Sequence, residues 1–241
     1  RQANPLLGDK VCVIGLGLLG QLTGQLLKAN GCDVFGIDLS ERLIALANTI
    51  SVTKALHRND PNLLSACENF TNGHGFDSII ITAAAPTNDP IILSTELCRK
   101  KGKIIVVGAV KMDVPRDPYF YRKELELKIS CSYGPGRYDV SYEEGGIDYP
   151  FAYVRWTEQR NMEAFLNMVS KGLVNVKPLI SHTFSIERAE DAYEIVLGKN
   201  PQPHIGILLK YEENERKNIT LTQIKNQPLQ NLNIGFIGAG S

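Results

Sequence analysis

From Lys10 to Tyr133 short apolar runs alternate with stretches whose apolar residues recur at helical spacing. Val11 to Ile14, Asp33 to Asp38, Ile50 to Leu56, Phe76 to Thr82, Lys103 to Gly108 and Leu125 to Tyr133 read as strands. Their apolar residues run on without strict alternation, the pattern of parallel strands buried on both faces. The spacing predicts helices between them over Leu18 to Ala29, Glu41 to Asn48 and Leu63 to Phe70, and a further helix that Asp89 and Pro90 cap. Ser40 is the expected N-cap of the second helix, Asn30-Gly31 ends the first, and Arg99-Lys-Lys101 before Gly102 ends the fourth. The implied architecture is α/β, a doubly wound parallel sheet of Rossmann type with six strands.

Beyond Tyr133 the pattern changes. A long Tyr- and Gly-rich segment, Gly134 to Trp156, has no clear period. Thr157 then caps a helix over Glu158 to Lys171, Pro178 to Phe184 is a strand, Ser185 caps Glu187 to Leu197, and His204 to Tyr211 is a last strand. The expected organisation is a nucleotide-binding domain over 1–175, a small C-terminal β/α extension over 176–211 and a polar linker over 212–230. Residues 231–241, an apolar run ending in Gly238-Ala-Gly240, repeat the opening device and read as the truncated start of a second nucleotide-binding domain. Both ends of the chain read as cut from something longer.

The first strand runs straight into Gly15-Leu-Gly-Leu-Leu-Gly20, which satisfies G-x-G-x-x-G with a helix immediately after it. Gly15 allows a tight turn, Gly17 lets backbone approach a pyrophosphate, and Gly20 lets helix and strand pack closely. The helix N-terminus then offers free N–H groups and the positive end of its dipole. Asp38, closing the second strand, stands near the spacing at which an acid accepts hydrogen bonds from the adenine ribose; otherwise it starts the turn into the next helix. Its charge would repel a 2′-phosphate, so NAD is the expected dinucleotide rather than NADP. Arg42, one helical turn on, could pair with Asp38, line the adenine pocket or face solvent.

Composition narrows the setting. The 26 basic and 26 acidic residues cancel, which gives no electrostatic footprint for nucleic acid or an anionic membrane. No apolar run is long enough to span a bilayer. Five cysteines are scattered without a Cys-x-x-Cys pair, which excludes a zinc knuckle and suits a reducing, cytoplasmic setting.

Other chemistry-bearing residues are less informative. His57, His74 and His182 sit in polar turns or an alternating strand, where satisfied or exposed histidines are the commoner case. Tyr119 and Lys123 match the Tyr-x-x-x-Lys pair of short-chain dehydrogenases, but that family uses another glycine spacing and places the pair earlier in the sheet. Small residues from Ala83 to Pro86 leave room for a ligand at the carboxyl end of the fourth strand, or form a plain turn. Arg137, beside glycines in the long loop, could hold an anion or be solvated on an Ω-loop, whereas the adjacent Glu143 and Glu144 read as solvated.

With these residues laid out, the chain resembles the nucleotide-binding part of medium-chain, zinc-type alcohol dehydrogenases of the threonine and sorbitol dehydrogenase branch. Leu7 to Gly20, Gly36-Ile-Asp38, Gly75 to Thr82 and Lys101 to Gly108 carry the resemblance; Pro178 to Tyr211 is similar to that family's closing segment, and the tail from Asn231 to the start of a glucose-fructose-oxidoreductase-like domain. The resemblance implies cofactor roles for Gly15, Gly17, Leu18, Leu19 and Gly20 at the pyrophosphate and for Asp38 at the ribose. By position it extends them to Thr82, Ala83, Val107 and Gly108 on the nicotinamide side. It implies no catalytic and no metal-ligating residue here, because the family's zinc ligands lie mostly in a preceding domain of the parent. The expected function is an NAD(H)-binding part of an oxidoreductase acting on an alcohol or polyol, sugar-linked ones among them, and inactive by itself. The substrate would be a small molecule, and a homo-oligomer is compatible with this reading. A non-catalytic nucleotide-sensing or assembly module, or an S-adenosylmethionine-dependent methyltransferase, are the competing classes.

Overall fold

The computed structural model describes residues 1–212. Six parallel strands form one sheet: β1 (Lys10–Ile14), β2 (Asp33–Asp38), β3 (Lys54–His57), β4 (Phe76–Ile81), β5 (Cys98–Val106) and β6 (Glu126–Ile129), in the order β3-β2-β1-β4-β5-β6. The helices between them are α1 (Leu18–Ala29), α2 (Glu41–Ile50), α3 (Leu63–Phe70) and α4 (Asp89–Leu97). The expected doubly wound sheet is therefore present. Two apolar layers sandwich it, as continuous apolar strands require. Val11, Val13, Val34, Ile80 and Ile105 pack with Leu27, Ile44 and Ala47 on one face. Cys12, Ile14, Phe35, Ile37, Ile79 and Ile81 pack with Leu63, Cys67, Ile91 and Leu97 on the other.

Boundaries differ from the sequence expectation in several places. The third strand is Lys54–His57 rather than Ile50 to Leu56, because α2 runs through Ile50 and Ser51 to Thr53 form the turn. There Thr53 Oγ1 accepts from Val34 N (3.3 Å) and Gly24 lets α1 approach the Ser51 carbonyl. The fourth helix stops at Leu97, not at Lys101. Cys98 is already extended, and an irregularity around Lys101, whose φ is +60°, lets β5 begin early. Nor does Asp89 cap that helix: Asn88 holds the N-cap position, while the Asp89 carboxylate takes a two-pronged Arg58 guanidinium at 2.9 and 2.6 Å. The sixth strand is confined to Glu126–Ile129.

The long loop contains α5 (Val140–Glu143), and α6 (Glu158–Ser170) follows, its first turn capped by Thr157 Oγ1 accepting from Arg160 N (3.4 Å). β7 (Ile180–Ser185), α7 (Ala189–Val196) and β8 (Gly206–Lys210) form the extension, whose two strands pair in parallel apart from the main sheet. Gln25 of α1 holds its approach, accepting from Asn175 N (2.6 Å) and donating to Asn175 O (3.2 Å). The expected second glycine turn at Gly238-Ala-Gly240 and nearly all of the linker lie outside the described residues. No helix among the described residues is long and apolar enough to cross a membrane.

Candidate cofactor site

Strand order places the site. From β1 the chain winds one way through β2 to β3, then returns to β4 on the other side of β1. The carboxyl ends of β1 and β4 thus form the switch point at which open α/β sheets bind ligands. The register Ile14↔Ile37 and Ile14↔Ile81 brings Gly15, Asp38 and Thr82 to the same edge.

Each glycine of the turn meets a different demand. Gly15 has φ +95°, and a Cβ there would lie 2.5 Å from Ala83 N. A Cβ on Gly20 would lie 1.9 Å from the Gly15 carbonyl oxygen. At Gly17 a Cβ would meet nothing within 4 Å, so that glycine faces open space. Gly17 is also the N-cap of α1, with no side-chain hydrogen bond capping it. The first-turn N–H groups, those of Leu18 and Leu19 included, are left for an anion.

Asp38 is joined to this turn directly. Its carboxylate accepts from Leu16 N (2.5 Å) and from Ser40 N (2.8 Å), and these two bonds leave lone pairs for ribose hydroxyls. The turn reading of Asp38 therefore holds, and the same carboxylate stands beside the glycines, where the ribose reading requires it. Arg42 does not pair with Asp38. It is exposed and donates to the carbonyl of His204 (3.1 Å) in the extension.

On the other side of β1, Thr82 Oγ1 donates to Gly15 O (2.6 Å), and Ala83 N to Ile14 O (3.1 Å). Val107 and Gly108 both donate to Ile81 O (2.9 Å), and a Cβ on Gly108 would lie 2.0 Å from Ala83 O. Beyond the sheet the segments that follow β4 and β5 stay zipped. Ala85 N donates to Ala109 O (2.9 Å), and the Asn88 amide clasps the backbone of Asp113, accepting from its N–H at 2.9 Å. The structure therefore brings Gly15, Gly17, Leu18, Leu19, Gly20, Asp38, Thr82, Ala83, Val107 and Gly108 to one edge, with Arg42 turned to the extension.

Sequence reasoning missed Gln21, Ser51 and the Asn88 clasp. The signal for Gln21 was its amide on the apolar face of α1, where a polar residue must be explained by partners.

The remaining candidates resolve into structural roles. Lys123 donates to the carbonyls of Thr95, Glu96 and Cys98 (3.1, 2.5 and 2.8 Å), closing the end of α4, which gives the Tyr119/Lys123 match a structural explanation. Glu143 is exposed as expected, and it also carries the Arg137 guanidinium (2.5 Å) and accepts from Tyr138 N. Asp139 accepts from Tyr149 OH, Asp148 pairs with Arg160, and Tyr142 stacks on Tyr149 at 5.5 Å, so the long loop is internally tied. His57 Nε2 meets Leu39 O at 2.9 Å.

The described residues contain no group of three or more His, Cys, Asp or Glu placed to hold a metal ion. Cys12, Cys67 and Cys98 are buried. Desolvation pushes the Cys67 and Cys98 thiols up to about 12, the opposite of what a metal-binding thiolate requires. The described residues do not fit zinc.

Fold, switch point and glycine turn together define a dinucleotide-type Rossmann domain. The family model described as zinc-binding dehydrogenase matches residues 19–144, about half of the chain, and the chain belongs to that family. It is similar to L-threonine 3-dehydrogenase of Caldanaerobacter subterraneus, at 24% identity over 197 residues, covering 81% of this chain and 50% of that protein. Sorbitol dehydrogenase of Halalkalibacterium halodurans is 24% identical over 192 residues, covering 78% and 49%. The alcohol dehydrogenase of Thermus sp. ATN1 has the same fold, with TM-score 0.67 at 19% identity over 88% of this chain and 53% of that one. The chain spans about half the length of the curated relatives it matches.

Proposed function

We propose that this chain is the NAD(H)-binding part of an oxidoreductase that transfers hydride between NAD and a small alcohol or polyol. One observation carries the proposal: Asp38 touches the glycine turn through Leu16 N at the switch point of the sheet, beside a Gly17 that faces open space. NAD supplies the hydride acceptor. The chain's own residues bind and orient it: Gly15, Gly17, Leu18, Leu19 and Gly20 would hold the pyrophosphate, and Asp38 the adenine ribose. Thr82, Ala83, Val107 and Gly108 would form the floor of the nicotinamide side. No proton-transfer residue is assigned to the chain: His57 meets the Leu39 carbonyl and Lys123 serves the carbonyls at the end of α4. The substrate class rests on the kinship with threonine and sorbitol dehydrogenases. A reducing compartment such as the cytoplasm suits five unpaired thiols.

Calorimetry with NADH tests the reading. Binding is expected in the micromolar-to-millimolar range, and its absence at millimolar NADH removes the cofactor role. Asp38→Ala should weaken NADH by about tenfold and narrow its advantage over NADPH, since a charge-assisted acceptor contributes on the order of 1.5–3 kcal/mol. An unchanged NADH/NADPH ratio takes Asp38 off the ribose. A thermal shift with S-adenosylmethionine but none with NADH would favour the methyltransferase class.

A further inference from the structure

Gln21 is wholly buried one turn into α1, and each of its polar atoms is engaged. Its Nε2 donates to Leu16 O (3.0 Å) and to Leu43 O (3.0 Å), while its Oε1 accepts from the hydroxyl of Ser51. One amide therefore ties the glycine turn to the start of α2 and to the residue that ends it. Leu16 O belongs to the same peptide unit as the N–H of Gly17. In a planar trans peptide these two groups point in opposite directions, so fixing one aims the other. The carbonyl is drawn inward to a fully buried side chain. The Gly17 N–H, which has no hydrogen-bond partner among the described residues, is thereby turned away from that buried side chain, on a residue where a Cβ would meet nothing. The preceding peptide is fixed as well, because Leu16 N donates to Asp38.

We infer that Gln21 is a positioning residue for the dinucleotide: it aims the Gly17 N–H at the pyrophosphate and locks that aim to α2, the helix that begins beside the ribose acid. The inference rests on the NAD reading above and goes beyond it by assigning a buried residue that touches no cofactor. Gln25, four residues on, is the natural comparator. It is a similarly buried glutamine of the same helix, and its amide holds Asn175 at the extension instead of the turn.

The test compares Gln21→Met, Gln25→Met and Ser51→Ala with the unaltered chain. Three quantities are read: the melting temperature, the affinities for NADH and ADP-ribose, and the amide resonance of Gly17 on adding ADP-ribose. Both Met variants should melt lower, since each leaves buried carbonyls without donors. Gln21→Met should also bind NADH and ADP-ribose about tenfold more weakly and lose most of the Gly17 response. Gln25→Met should bind both within about twofold of the unaltered chain and keep that response. Ser51→Ala, which removes only the hydroxyl that orients the Gln21 amide, should weaken binding by about threefold, and it answers the question if Gln21→Met does not fold. Unaltered affinity and Gly17 response in Gln21→Met, or in Ser51→Ala where the former is not folded, overturn the inference and leave the NAD reading standing. An unaltered chain that binds neither NADH nor ADP-ribose overturns both.

Discussion

The two halves of the carboxyl edge are built by different means. Around β1 and β2, side chains govern the backbone: Asp38 fixes the Leu16 amide, Gln21 the Leu16 carbonyl, and Ser40 caps α2. Around β4 and β5, bonds between backbone groups predominate, with Ile14 O and Ile81 O receiving the amides of Ala83, Val107 and Gly108, and the Thr82 hydroxyl and the Asn88 amide add two side-chain ties. The first half is shaped to recognise a polar ligand at chosen points. The second is close-packed, with no room for a Cβ at Gly108.

Glycine-to-alanine exchanges should break this comparison most forcefully. At Gly20 and Gly108 a Cβ would lie 1.9 and 2.0 Å from backbone carbonyl oxygens, which cannot rotate away. Overpacking of this kind costs about 1–3 kcal/mol or more, and a domain of this size melts about 2–4 °C lower per kcal/mol. Calorimetric scans of Gly20→Ala and Gly108→Ala should therefore both show clear losses, one in each half. A Gly108→Ala chain that melts normally would mean that the second half is not close-packed. Gly17→Ala is the counterpart: a Cβ there meets nothing and φ is −65°, so the melting temperature should hold while NADH affinity falls by about tenfold or more. Stability and binding would then separate within one six-residue motif.

That contrast also explains how much was legible in the sequence. In the half governed by side chains the glycine turn and Asp38 were readable, because Gly15-x-Gly17-x-x-Gly20 and Asp38 are residue types with narrow physical uses and fixed spacing, whereas Gln21 and Ser51 were not. In the other half Ala83 and Val107 have no such specificity, and only their place at strand ends marked them. The Asn88 clasp was invisible because its partners are backbone atoms of Asp113, 25 positions away. Helix boundaries failed for a related reason. Ile50 fits an apolar strand and an amphipathic helix equally well, and the turn at Ser51 that decides between them depends on the close approach of Gly24. The basic run from Arg99 to Lys101 likewise misplaced the end of α4, because the cation that serves its carbonyls, Lys123, comes from a later segment.

A milder prediction concerns the half around β4 and β5. Asn88→Ala removes two hydrogen bonds to Asp113 and leaves the Ala85–Ala109 pairing in place, a net loss of about 1–2 kcal/mol. With the ring along β4 and β5 as proposed, its effect should fall on NADH more than on ADP-ribose, since the clasp joins the segments that follow those two strands, whereas Asp38 closes β2. Equal weakening of the two ligands, measured side by side by titration calorimetry, would show that the two halves are not independent.

The smallest effect is expected at Arg42, and it decides where the first half ends. Proximity in sequence to Asp38 makes Arg42 a natural candidate for the adenine pocket, yet its guanidinium is exposed and directed to the His204 carbonyl. A single exposed hydrogen bond contributes little, within about 0.5 kcal/mol at such surface positions. Arg42→Ala should leave NADH affinity within about twofold and change the melting temperature by about a degree or two at most. Amide hydrogen exchange should nevertheless quicken around Ile205 and Gly206, where the extension loses its tie to α2. A loss of NADH affinity of about fivefold or more would instead place Arg42 against the adenosine and extend the side-chain-governed half by one helical turn.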